Sequence, residues 1–141
     1  PEDRNILGGA IRLAKPARVF GAAEGIEPAL AAMEGTGIPA WATVHATLME
    51  YMVIPEEVEL LGVFADKDRP SKQHPRGHGQ EDAQKLVQRA IAMGKQAIAI
   101  TPQGEILPNE KSLDWMDVLR AHGPHGFPTM PSIRRALLKV A

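Results

Sequence analysis

Three carboxylates in this 141-residue chain stand where chemistry is readily done. Glu24 closes the apolar run Val19-Phe20-Gly21-Ala22-Ala23, and Asp66 and Asp68 close the run Leu60-Leu61-Gly62-Val63-Phe64-Ala65. Each run reads as a buried strand, and the carboxyl edge of an open α/β sheet is where ligands gather. In extended backbone, side chains two residues apart share a face, so Asp66 and Asp68 can aim at one ion. Mg2+ suits them: it takes hard oxygen ligands, keeps several waters, and needs only one or two carboxylates when substrate phosphates complete its shell. Mn2+ is an acceptable substitute, since carboxylate and water ligands suit it as well. Glu24, carried alongside by sheet pairing, could ligate a second ion or serve as general base toward an attacking hydroxyl. Each acid also has an ordinary explanation. A carboxylate at a strand-to-helix junction is favoured by the helix dipole, and Asp-Lys-Asp before a proline-containing loop is common turn chemistry. Two acidic signatures ending two separate buried strands make the ordinary explanations weaker together than singly.

The elements that must hold these residues follow from periodicity. An edge-like segment over Ile11 to Lys15 precedes four strands, at Arg18 to Ala23, Ile38 to Val44, Val58 to Ala65 and Gln96 to Ile100, whose near-continuous apolar character suits parallel strands covered on both faces. Helices are expected after Gly25 with a stop at Gly35-Thr36-Gly37, over Leu48 to Met52, over Glu81 to Met93, over Asp114 to Ala121 with Ser112 as N-cap, and over Pro131 to Val140. Asp66 to Gln80 reads as one irregular loop, rich in Pro and Gly. Alternating strands and helices predict an α/β fold with a mostly parallel sheet of about four strands and helices on both faces. The organisation expected is a single domain: an N-terminal edge segment (1–16), a catalytic core (17–121), and a C-terminal extension and helix (122–141).

Composition narrows the function classes. The 16 Lys plus Arg nearly balance 17 Asp plus Glu, for a net charge of −1, so any contact with nucleic acid must be local. The densest basic patch is Lys67, Arg69, Lys72 and Arg76, directly beside the two aspartates, and phosphates of a nucleotide or template strand are its natural partners, although a solvated loop would look the same. Cysteine is absent, which excludes disulfides, thiol catalysis and thiolate zinc sites. Pro75 and Gly77 argue against a helical zinc pair at His74 and His78, leaving loop histidines. Trp41 reads as core, and Trp115 as either core or a stacking platform. With no membrane-length apolar run the chain reads as soluble and cytoplasmic, with no membrane partner. Beginning at Pro1, it also reads as a piece of a longer polypeptide.

The blocks Ala22-Ala23-Glu24-Gly25-Ile26-Glu27-Pro28-Ala29-Leu30-Ala31, Pro39-Ala40-Trp41-Ala42, Phe64-Ala65-Asp66-Lys67-Asp68 and Asp114-Trp115-Met116-Asp117-Val118-Leu119 resemble, in this order, the Toprim region of plasmid, phage and integrative-element primases. Toprim domains are the Rossmann-like catalytic folds of bacterial-type primases, type IA and type II topoisomerases and some nucleases. The resemblance implies Glu24 as the strand-one acid, Asp66 and Asp68 as magnesium ligands, Asp114 as a third acidic position and Asp117 as a weaker one. It also implies primer synthesis on a DNA template from NTPs in a full-length protein, beside helicase or conjugative-transfer domains, with the isolated domain inactive. One departure concerns the substrate side: the pattern usually has Gly three residues after the second aspartate, where this chain has Ser71. A Toprim nuclease, or a degenerate docking module of a mobile-element protein, is the alternative.

Overall fold

A computed structural model describes residues 9–44 and 51–140. Its central sheet has five strands in the order β1 (Ile11–Arg12), β3 (Ala40–Thr43), β2 (Val19–Glu24), β4 (Leu60–Phe64) and β6 (Gln96–Ile100). The last four are mutually parallel, and β1 runs antiparallel along the edge of β3. The expected four strands are therefore present, and the edge segment adds a fifth. Among the described residues no helix is long and apolar enough to cross a membrane.

Both faces of the sheet are covered, which is why β2 and β4 show no polar alternation. On one face Phe20, Ala22, Leu61, Val63 and Ala97 meet Ala83, Leu86, Val87 and Ala90 of helix α2 (His78–Ala92), four residues spaced along one helical stripe. On the other, Ala23, Leu60, Phe64 and Ile100 meet α1 (Ile26–Thr36), α3 (Trp115–His122) and α4 (Met130–Val140). Gly21 and Gly62 are register partners in the two central strands. A Cβ on Gly21 would lie 3.3 Å from the Phe64 ring, so the missing side chain is what lets that ring lie close over the sheet. Trp115 then packs edge-on against Phe64 at 5.8 Å, tilts against Phe127 at 4.8 Å and donates Nε1–H to the Ile100 carbonyl at 3.2 Å. Trp115 is thus a core residue that pins the start of α3 to the carboxyl edge of the sheet. Trp41 is core on the opposite face, edge-on to Phe20, with Nε1–H donated to the Ala14 carbonyl.

Three local readings are corrected. The segment 66–80 is not irregular throughout: β5 (Lys67–Asp68) pairs antiparallel with β7 (Ser112–Leu113), and α2 begins at His78 rather than Glu81. Ser112 is not the cap of α3. Asp114 is, accepting from the Asp117 amide at 2.7 Å, while Asp117 Oδ2 accepts from the Asp114 amide at 3.1 Å, a reciprocal capping box. Helix α1 runs through Gly35 and Thr36 and is capped by Gly37. Gly35 continues the helix because the Phe127 ring occupies the space of its absent side chain, 2.4 Å from where a Cβ would stand. The short helix expected at Leu48 to Met52 falls mostly outside the described residues, and the part that is described, Tyr51 and Met52, is not helical.

Candidate metal centre

Glu24 is the last residue of β2, and the chain leaves the sheet there because Gly25 adopts φ +88°, a turn that a side chain would strain, with its amide donated to the Thr43 carbonyl at 2.7 Å. Asp66 stands two residues beyond the end of β4, the strand next to β2. The register brings Ala23 opposite Phe64, so the exits of the two strands, and their acids, share one edge. Beyond Asp66 the β5–β7 ribbon folds Asp68 against Ser112 and delivers Asp114 to the same edge.

Asp66 is the electrostatic centre of this group. Burial, followed by the negative charges of Glu24, Asp114, Asp68 and Asp117, pushes its carboxyl from 3.8 up to about 7. Its Oδ1 is fully buried and has no hydrogen-bond partner. A buried oxygen without a donor, crowded by four further carboxylates, is the arrangement a cation would relieve. Among the described residues no three carboxylate or imidazole side chains converge into a ready-made ion cage. Mg2+ needs only one or two carboxylates from the protein, since it keeps much of its water and borrows substrate oxygens. The residues therefore fit Mg2+ through Asp66, with Glu24 and Asp68 flanking it. Asp114, the third acidic position, has one oxygen engaged as the helix cap, and burial raises its pKa.

Asp68 is held by a clamp that sequence reading missed. The Gly79 amide donates to Asp68 Oδ2 at 2.7 Å, and Gln80 brackets the Asp68 backbone, accepting from its amide and donating to its carbonyl, each at 3.1 Å. The approach demands glycine twice. A Cβ on Gly79 would lie 2.8 Å from Asp68 Oδ2, and Gly77 has φ +94° with no room beside Gln80. The visible signal was the Gly77-His78-Gly79-Gln80 string itself.

Residues 19–125 match the Toprim domain. The chain belongs to the Toprim family. No curated protein and no solved structure matches it. Toprim domains in general bind magnesium and act in nucleotidyl transfer or strand cleavage, which accords with an acidic edge whose buried oxygen lacks a donor.

The basic loop of this Toprim domain divides in two. Lys67 donates Nζ to the Gly104 carbonyl, and Arg69 donates to the carbonyls of Leu107 at 2.8 Å and Glu110 at 3.0 Å, so both brace the segment leading to β7. Lys72 and Arg76 lie exposed on the loop. His74 and His78 stack at 4.2 Å and are not bare loop histidines. His74 Nδ1 lies 3.1 Å from Glu81 Oε1, and His78 Nε2 lies 2.9 Å from Oδ2 of the buried Asp82, although not in hydrogen-bonding alignment. Glu81 also accepts from the Arg76 amide at 2.9 Å, and this bond, followed by His74, holds its carboxyl below the usual range.

Proposed function

We propose that this Toprim domain is the magnesium-dependent catalytic domain of a primase-like protein of DNA replication or conjugative transfer, joining nucleotides into a primer within a longer polypeptide. The observation that carries the reading is Asp66: a carboxyl with one oxygen buried and unpartnered, raised to about 7 by burial and by four neighbouring acids, at the sheet edge where α/β folds bind ligands. Asp66 and Asp68 would hold the ion and Glu24 would stand beside it. When bound, Mg2+ supplies charge neutralisation and alignment for the phosphates of an incoming NTP. The residues do the rest. Asp68, fixed through Oδ2 by the Gly79 amide and through its backbone by Gln80, would offer its other oxygen to the ion. Glu24, at the end of β2, would accept the proton of an attacking hydroxyl at its carboxylate. Lys72 and Arg76 are the loop cations available to template or NTP phosphates, with helicase or transfer modules as covalent neighbours.

A Mg2+ titration followed by amide NMR shifts tests the site, the expected result being millimolar-range shifts at Glu24, Asp66 and Asp68. In the protein that carries this domain, ribonucleotide incorporation on single-stranded DNA should be abolished by Asp66→Ala. Strand nicking without incorporation would assign the domain to cleavage. Primer synthesis that survives loss of both the Asp66 and Asp68 carboxylates would make it a docking module.

A further inference from the structure

Beside the acidic edge a groove of about 610 Å³ runs along α2 to the end of β6, walled by Arg76, Gln84, Lys85 and Gln88 with Thr101 opposite. Gln80, Gln84 and Gln88 recur every four residues and so form one stripe of the helix, each step about 6 Å along its axis. The stripe begins at the acidic site, because Gln80 is the residue clamped to the Asp68 backbone. Gln84, Lys85 and Gln88 are exposed, and Lys85 remains so while lying 3.6 Å from Asp82. Among the described residues lining the groove the one acid is Glu81, a carboxylate whose two oxygens are engaged by His74 and by the Arg76 amide, while Asp82, beneath Lys85, is buried. The wall therefore offers hydrogen-bond donors: a guanidinium, an ammonium and two amides.

We infer that this groove is the track of a single-stranded polynucleotide, whose phosphate oxygens are bound by Arg76, Gln84, Lys85 and Gln88 as the strand leaves the acidic edge. The identity of the anion rests on the proposed nucleotidyl-transfer reading, whereas the donor wall stands without it. Contacts to phosphate carry no sequence information, so binding through these donors is independent of sequence. With two positive side chains, the slope of log Kobs against log salt is about −1.4, at about 0.7 per neutralised phosphate of a single strand.

Fluorescence anisotropy with a labelled 20-mer of oligodeoxythymidine, in EDTA, isolates the groove from metal chemistry. Gln84→Lys/Gln88→Lys is expected to tighten binding at least tenfold and to steepen the slope to about −2.8. Gln84→Glu/Gln88→Glu should weaken binding at least tenfold with an unchanged melting temperature. Lys139→Gln, a charge change on α4, should leave affinity alone. The inference is overturned by absent wild-type binding, by indifference to both double variants, by an equal effect of Lys139→Gln, or by inorganic tripolyphosphate competing as well as the strand at equal phosphate concentration, which would mark a simple anion pocket. Because no divalent ion is present, the groove can fail while magnesium still shifts Asp66, and the reverse.

Discussion

Asp66→Asn should make the metal-free domain more stable. Folding carries the Asp66 carboxyl from 3.8 to about 7, so between these values the folded chain binds more protons than the unfolded one. Stability must then fall as pH rises through this window and level off above about 7, the opposite of an ion-paired aspartate. At about 1.4 kcal/mol for each pH decade, the wild type at pH 8 forfeits up to about 4 kcal/mol relative to a neutral side chain, and about 2 kcal/mol at pH 5.5. Asparagine removes the ionisation at nearly constant volume, although its amide must also find room at the unpartnered Oδ1 position. Screening and relaxation reduce the gain, so an increase of about 2–4 kcal/mol at pH 8 is expected, shrinking by roughly half at pH 5.5. Urea denaturation of both proteins in EDTA at the two pH values measures the difference directly, and titrations common to both cancel. A variant less stable than wild type at pH 8, or a gain that grows as pH falls, would refute the account of Asp66 as a buried carboxyl under repulsion.

Magnesium should reverse the penalty: at tenfold excess over its Kd it should stabilise the wild type at pH 8 by about 1.4 kcal/mol and leave Asp66→Asn unmoved, as read by thermal melting. Asp114→Ala loses the cap of α3 and should cost about 1 kcal/mol, while carboxyl NMR should show the Asp66 pKa falling below its wild-type value, because one raising charge is gone. An unmoved Asp66 would mean that the two acids are not coupled. Gly79→Ala drives a Cβ to 2.8 Å from Asp68 Oδ2 and 3.3 Å from the Asp66 carbonyl, so it should destabilise by about 1–3 kcal/mol and weaken magnesium binding together, by denaturation and by titration.

What the sequence disclosed and what it hid differ in range. The central strands were legible because burial on both faces writes itself as a local apolar run, and the acids at their ends were legible because strand exits are local too. The β5–β7 ribbon was not. Lys67-Asp68 and Ser112-Leu113 carry no periodic signal, and their pairing spans more than forty residues, so only tertiary structure selects it. The same holds for the start of α2, where His78 and Gly79 are poor helix formers recruited by the bonds from Gly79 and Gln80 to Asp68. Gly35 misled for the complementary reason: it looked like a stop, but its missing side chain is filled by a ring from residue 127. The capping box was written in Asp114 and Asp117 all along, and Ser112 competed for the cap only because nothing local marked it as a strand residue.

The two devices that position the acids also explain why the fold tolerates them. Asp68 is stabilised through Oδ2 by a backbone amide, and Asp114 through Oδ1 by the amide of Asp117, so each acid has one anchored oxygen. Asp66 has no such help at Oδ1. A fold optimised for stability alone would replace it, since a neutral residue there relieves both the desolvation and the repulsion, whereas a domain that must attract a divalent ion keeps the least compensated carboxylate at the centre. The acids are treated unevenly, two with an anchored oxygen and one with a buried oxygen that has no donor, and it is this unevenness, rather than the number of carboxylates, on which the proposed magnesium site rests.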